Sequence, residues 1–454
     1  MRKAWLIAAV AVLAAGGALA AVIVSSGGGK SSQPASSAGG TTGGTTPTQP
    51  TSGGTTTGST TGAAPPPPPP GATTSPVPAT TSKIPPPPGP HSERREVFTI
   101  GVVDDSLAQQ DAASARSLVD ISHRAGFEAV VISANWVRGR TRPQAADVRG
   151  IGNVARAARA DHMRLFVVAW NGLATNTPRN GNERGQFATF TAALVKAFPS
   201  VHGVVVGNEP NLNTFWMPQF GRDGRDVAAA AYEDLLARSY DAIKKASHNV
   251  EVIGVGLSPR GADRPQGIRQ THSPTAFIRD LGKSYRESGR DRPLMDAFAI
   301  HPYMLSPKVP PTVRHGKTTE ITVADYPKLV TLLDEAFRGT PQRGRTLPIL
   351  YAEFGVQTVV PEQKMFAYQE GTSPNAGEGV SAATQAAYYR QALALAYCQP
   401  TVRGLFIFHT FDESRLNGWQ SGLYYADRSP KPSVRGFRRA VTDLRDGKLT
   451  NCGR

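Results

Sequence analysis

Four short stretches carry side chains whose types and spacing could do chemistry. Asn208-Glu209-Pro210 follows one apolar run and Glu353 closes another, "LPILYAEFG". His301-Pro302-Tyr303 follows a third run, and His409 follows a fourth, with Asp412 and Glu413 behind it. A structural strand has no use for an amide and a carboxyl side by side at its tip. Two carboxyl groups brought face to face do have a use. One protonates a leaving oxygen while the other meets an oxocarbenium-like carbon, which is what glycoside hydrolysis requires. Asn208 could hold a sugar hydroxyl. Tyr303 could donate to the Glu353 carboxylate and keep it ionised, because a hydrogen bond to the charged form favours that form. Trp170-Asn171, Trp216 and Trp419 also stand after apolar runs. Sugar rings stack on exposed aromatic faces, so these tryptophans, Asn171 and His409 join the candidate substrate contacts.

The elements that must position these groups recur in order. Apolar runs rich in Val, Ile and Phe occupy 97–103, 129–133, 165–170, 203–207, 252–257, 297–301, 348–352 and 404–408. Most do not alternate with polar residues, as befits strands buried on both faces. Helical patterns lie between them, including 144–161, 225–245, 326–337 and 382–396, with Asp325 and Ser381 as N-caps of the last two. Repeated strand–helix units predict a (β/α)8 TIM barrel over residues 93–454. A doubly wound open sheet is the alternative, but no GxGxxG fingerprint follows the first strand and no cofactor is implied. In a barrel the C-terminal strand tips meet at one face, so the polar tip residues form one site. The same face receives Asp104 and Asp105, read as first-loop caps, and Trp136 after the second strand. The loops at 304–323 and 357–379 are long enough to shape access to it.

Asn208-Glu209-Pro210 on the fourth strand with Glu353 on the seventh resembles glycoside hydrolase clan A, the 4/7 superfamily of retaining enzymes. "HPY" at 301–303 resembles the His-x-Tyr of its family 5 and related members. "GLYYADRSPKPS" at 422–433 is similar to the segment after the eighth strand in many of them, and family 39-like enzymes are an equally fair comparison. The resemblance implies Glu209 as general acid/base, Glu353 as nucleophile and Asn208 on the sugar 2-hydroxyl. It implies that His301 and Tyr303 shape the subsite around the nucleophile. It further implies carboxyl groups about 5–5.5 Å apart, a covalent glycosyl-enzyme, a raised pKa at Glu209 and an ionised Glu353. The chain departs from the pattern in three places. Arg138 lies a few residues late of the expected second-strand arginine. Trp170-Asn171 stands where the third strand usually offers histidine. The eighth strand lacks its terminal tryptophan, for which Trp419 in the next loop is a substitute. The alternative reading is a non-catalytic carbohydrate-binding barrel at the cell envelope.

Composition and termini bound the setting. The 454 residues carry a formal charge of +15. Four of the basic residues precede residue 93, leaving 46 basic against 35 acidic residues, or +11, beyond it. The basic residues are scattered, which reads as a solvated surface or as attraction to anionic envelope polymers; no motif points to nucleic acid. Residues 1–24 combine a basic start, an apolar run and Ala18-Leu19-Ala20. That is the layout of a signal peptide or an N-terminal membrane anchor, and it predicts an extracellular domain. Residues 25–92, almost all Ser, Gly, Thr, Pro and Ala, predict a disordered linker. Cys398 and Cys452 form no CxxC or Cys/His cluster, so no metal is implied; in an exported protein they are a candidate disulfide. A carbohydrate is the expected partner of a monomeric chain.

Overall fold

The computed structural model describes residues 98–369 and 379–449. The expected segments 1–24 and 25–92 lie outside them. Among the described residues, no helix is long and apolar enough to cross a membrane.

Eight parallel strands close into a barrel in chain order: β1 (Thr99–Val103), β2 (Ala129–Asn135), β3 (Arg164–Trp170), β4 (Val201–Val206), β5 (Glu251–Leu257), β6 (Ala297–Ile300), β7 (Ile349–Phe354) and β8 (Val402–Phe408). β8 pairs with β1 from Thr99↔Gly404 to Val103↔Phe408 and completes the ring. The strands alternate with α1 (Ala112–Ala125), α2 (Ala145–Ala160), α3 (Gly181–Ala197), α4 (Ala228–Ala246), α5 (Pro274–Glu287), α6 (Tyr326–Phe337), α7 (Ala382–Tyr397) and α8 (Ser433–Arg445). This is the (β/α)8 architecture that the run of apolar segments predicts.

The unbroken apolar runs follow from burial on both strand faces. One set of side chains, including Val130, Val167, Val204, Val252 and Ile407, packs outward against the helices. The alternate set, including Val131, Phe166, Val168, Val205, Ile253, Leu350 and Phe406, fills the barrel interior. That interior stack continues upward into Trp170, Phe215, Tyr303, Phe408 and Trp419, so the floor of the mouth is aromatic.

Short polar side chains set the helix starts. Asn180, Ser273 and Ser381 accept from the backbone N–H groups of Glu183, Ala276 and Thr384, satisfying donors that a helix cannot satisfy itself. Asp325 departs from its expected role. It makes no side-chain cap on α6 and instead closes a capping box with Thr322 one turn earlier, where its carboxylate also accepts from His315 N at 2.6 Å. Cys398, at the end of α7, is disulfide-bonded. Its expected partner Cys452 lies outside the described residues.

Candidate active site

The tip of β4 is held in an unusual backbone shape. Gly207 has φ +83° and Glu209 has φ +40°. A non-glycine residue in the left-handed region costs on the order of 1–3 kcal/mol and persists only where its surroundings impose it. Here they do. Gly207 N donates to Ala169 O of β3 at 2.7 Å, and Glu209 N donates to Gly256 O of β5 at 2.8 Å. The turn delivers Glu209 to the mouth, where it is 5% exposed. Gly256 itself has φ +66°, and a Cβ there would stand 3.2 Å from His301 Nε2. The missing side chain lets the imidazole lie across the end of β5, toward the tip of β4.

His301 connects the two acids. Its Nδ1 is 3.1 Å from Glu209 Oε1 and 3.4 Å from Glu353 Oε2. Those two oxygens are therefore no more than 6.5 Å apart, the sum of the two distances. Tyr303 Oη donates to Glu353 Oε2 at 3.0 Å. Glu353 lies inside β7 rather than beyond it, with its side chain 14% exposed. Residues from β4, β6 and β7 thus converge on one spot at the mouth.

The electrostatics correct one expectation. Tyr303 does not hold Glu353 at an ordinary carboxylate pKa. Burial is the largest influence and, with the like charge of Glu209, pushes Glu353 up to about 7, against the opposing effects of His301 and the Tyr303 hydrogen bond. Sequence shows that a donor is near; it does not show how much water the carboxyl has lost. Burial acts to lower the His301 pKa, but the Glu353 charge and the Glu209 hydrogen bond and charge outweigh it and leave His301 raised. Tyr303 is pushed well above its usual value by burial and by both carboxylates, so its hydroxyl stays a donor.

The other expected contacts divide. Asn208 is half-buried beside Glu209. Trp170 packs on Phe215 at 5.9 Å between ring centroids, and its Nε1 finds no acceptor among the described residues. Trp419 lies 5.0 Å from the Tyr303 ring and 5.3 Å from Phe408, so it backs Tyr303 from the β8 loop. His409 stacks on Phe408 at 3.8 Å with φ +100°, and its Nδ1 is also without a partner among the described residues. Burial lowers His409 to about 4, so its ring is neutral.

Two candidates point elsewhere. The Asn171 amide donates to Leu173 O and Phe215 O at 3.1 and 2.7 Å, which ties the β3 loop to the β4 loop. Trp216 is buried against Tyr232 of α4, ring centroids 5.8 Å apart, in the layer between strands and helices. Asn171 stands one residue past β3 and Trp216 ten past β4, and their side chains turn away from the mouth. Trp136 likewise packs on Phe187 and donates to Arg140 O, and Arg138 pairs with Glu183 of α3.

Other charged groups stand around the mouth. Asp104 serves as the expected cap, accepting from Ser106 N, and also from Thr410 N and Phe411 N of the β8 loop. The Asp105 charge acts on both Glu353 and His409. Burial raises Glu413, in the β8 loop, to about 7. The loop after β5 carries Arg260, Asp263, Arg264 and Arg269, and the Arg260 guanidinium feels the charges of Glu209, Arg269 and Glu320. Acidic side chains gather near β1 and β8, and arginines outnumber acids in the loop after β5.

Solved structures share this architecture. A family 39 glycoside hydrolase from the gut symbiont Bacteroides cellulosilyticus WH2 is similar at TM-score 0.53 and 19% identity, over 77% of this chain and 64% of that one. The chain thus spans slightly less than two thirds of that protein. GH5_18 from Streptomyces cattleya, in complex with GlcNAc, is similar at TM-score 0.51 and 18% identity, over 78% and 81% of the two chains. The Ignisphaera aggregans GH53 catalytic domain is similar at TM-score 0.51 and 17% identity, over 77% and 97%. At these identities the likeness is one of fold, the eight-stranded parallel barrel shared by these clan A glycoside hydrolases. No protein-family model matches the chain, and no curated protein does.

Proposed function

We propose that this protein is a retaining glycoside hydrolase that cleaves a β-linked poly- or oligosaccharide outside the cell, with Glu353 as nucleophile and Glu209 as general acid/base. The observation that carries the reading is the single imidazole nitrogen within 3.4 Å of a carboxyl oxygen from each residue. It limits those oxygens to a separation below most of the range of about 6.5–9.5 Å that inverting enzymes need to seat a water. The barrel shared with glycoside hydrolases supports it.

In this reading the substrate's anomeric carbon sits over Glu353. A Glu353 oxygen attacks it, the bond to the glycosidic oxygen breaks, and Glu209 gives its proton to that oxygen. A water then enters on the Glu209 side. Glu209 takes one of its protons, the water oxygen bonds to the anomeric carbon, and the bond to Glu353 breaks. Glu209 ends protonated and Glu353 ionised, as they began. Tyr303 stabilises the carboxylate that attacks and departs, and His301 holds the two acids in register. Asn208 and Trp170 offer an amide and an indole N–H to sugar hydroxyls.

The apolar segment at 5–24 and the linker at 25–92 would export this domain and hold it away from the membrane. Attraction to anionic envelope polymers would follow from its positive charge.

The test is the stereochemistry of the product. Proton NMR of wild-type protein acting on aryl β-glycosides is expected to show the β-anomer first. Glu353→Ala is expected to be inactive, with azide restoring turnover to the α-glycosyl azide. Initial release of the α-anomer would remove the retaining mechanism. Binding of oligosaccharides without turnover of any β-glycoside would favour the carbohydrate-binding barrel instead.

A further inference from the structure

Arg260 is a partly buried arginine with no ion-pair partner among the described residues. It follows β5 by three residues. Burial lowers its pKa, opposed by the Glu209 charge and reinforced by the positive Arg269 nearby, while Glu320 is a second, weaker negative neighbour. Arginines withdrawn from water are normally paired. The position is also built rather than incidental. Asn211, two residues past Glu209 and fully buried, accepts from Ser258 N at 3.0 Å and donates to Ser258 O, Arg260 O and His272 O at 3.3, 3.4 and 3.0 Å. One amide thus locks the loop carrying Arg260 to the loop carrying Glu209.

The side of the cleft follows from the barrel order: β5 stands beside β4 and two strands away from β7, and Glu209 N donates to Gly256 O of β5. The loop carrying Arg260 is therefore on the Glu209 side, and its guanidinium feels the Glu209 charge. With Glu353 as nucleophile and Glu209 as proton donor, the sugar to be transferred lies over Glu353, and the leaving group lies beyond Glu209. Arg260 therefore faces the leaving group.

We infer that Arg260 is a specificity site for an acidic sugar residue on the leaving-group side of the cleaved bond. The group recognised is an oxyanion, a uronic acid carboxylate or a sulfate ester, either of which a guanidinium binds through two parallel hydrogen bonds. This inference rests on the assignment of Glu209 and Glu353 made above.

The experiment is calorimetric binding by the full-length chain carrying Glu353→Gln, which holds substrate without consuming it. The probes are β-linked uronate-containing oligosaccharides, sulfated oligosaccharides, and the carboxyl-reduced and desulfated forms of each. Either the uronate or the sulfated set is expected to bind at least about tenfold tighter than its neutral form, the effect of one charge-assisted hydrogen bond. Adding Arg260→Met, which keeps the aliphatic volume, should close that gap, and Arg260→Lys should close it partly. Which set shows the gap identifies the oxyanion. Equal binding of charged and neutral forms overturns the inference, as does a gap that survives Arg260→Met in a variant whose melting curve shows it folded. Failure of the catalytic assignment reads differently, as the absence of turnover of neutral aryl glycosides by the wild-type chain.

Discussion

Tyr303 Oη donates a 3.0 Å hydrogen bond to Glu353 Oε2. The bond favours the ionised carboxylate, yet it does not prevail. Burial and the facing Glu209 carboxyl together outweigh Tyr303 and His301, and Glu353 rises to about 7. The charge of Glu209 contributes to that rise, because a like charge nearby disfavours ionisation. A double displacement begins from this acid dyad with one proton, which must sit on Glu209 when the substrate is bound.

The first prediction concerns pH. The acid limb of kcat/KM should fall near pH 7, where Glu353 loses its proton and becomes able to attack. Tyr303→Phe removes a donor to the anion, which raises the carboxyl pKa further. The limb should therefore move to higher pH, by about one unit if the bond has the usual strength of one to a charged group. The check is a pH–rate profile on an activated aryl glycoside. A limb that stays in place or moves down would show that Tyr303 does not act on the dyad.

The second prediction separates the two acids by leaving group. Glu209→Ala removes the proton donor, so its effect should grow as the leaving group becomes more basic. Roughly 10²–10⁴-fold loss is the usual contribution of a positioned acid. A dinitrophenyl glycoside, which leaves without help, should be least affected in its bond-breaking step. Rates for a series of phenols of graded acidity decide the matter. A uniform loss across the series would mean that Glu209 only shapes the site.

The barrel and the four central residues were legible because each signal is local. Continuous apolar runs mark strands buried on both faces, and Gly207, Pro210, Pro302 and Gly355 mark where they stop. Side-chain direction past a strand tip is not local. Asn171 follows the tip of β3 at once, and Trp216 follows β4 by ten residues much as Trp419 follows β8 by eleven, but loop closure turns Trp216 into the helix layer and Asn171 onto backbone carbonyls. Arg260 carried no signal at all. Its meaning lies in the lack of an ion-pair partner among the described residues and in a charge carried at the tip of another strand, both properties of the assembled fold.

The third prediction concerns the support beneath the mouth. Lys431 Nζ and Asp412 Oδ1 form a fully buried ion pair at 2.7 Å. Lys431 also donates to Thr358 Oγ1 and Gln420 O, and Asp412 accepts from Tyr368 Oη and Gly422 N. The network joins the loops after β7 and β8, including the segment that carries Trp419. Lys431→Met leaves a buried carboxylate without its cation and should cost about 3–5 kcal/mol in denaturant unfolding. Lys431→Met with Asp412→Leu should recover much of the loss, since an apolar pair is often no worse than a buried ionic one. If the single variant is as stable as wild type, the pair does not hold these loops.

The fourth prediction is that the dyad weakens the fold that carries it. Glu353 ionises at about 7 in the folded chain against a reference of 4.5. Between those values the folded protein holds a proton that the unfolded chain has released, so stability falls as pH rises from 4.5 to 7 and stays reduced above it. Glu353→Gln removes the titrating group and keeps the shape. Its advantage over wild type should be absent below pH 4.5, grow through that window and level off above pH 7, at most on the order of 3 kcal/mol. Unfolding curves of both proteins at pH 4, 6 and 8 measure the gap. A structural acid would behave in the opposite way, because replacing a carboxylate that the fold had stabilised would cost most at high pH. A gap that is negative at pH 8 would therefore mark Glu353 as a residue kept for stability rather than for attack on a sugar.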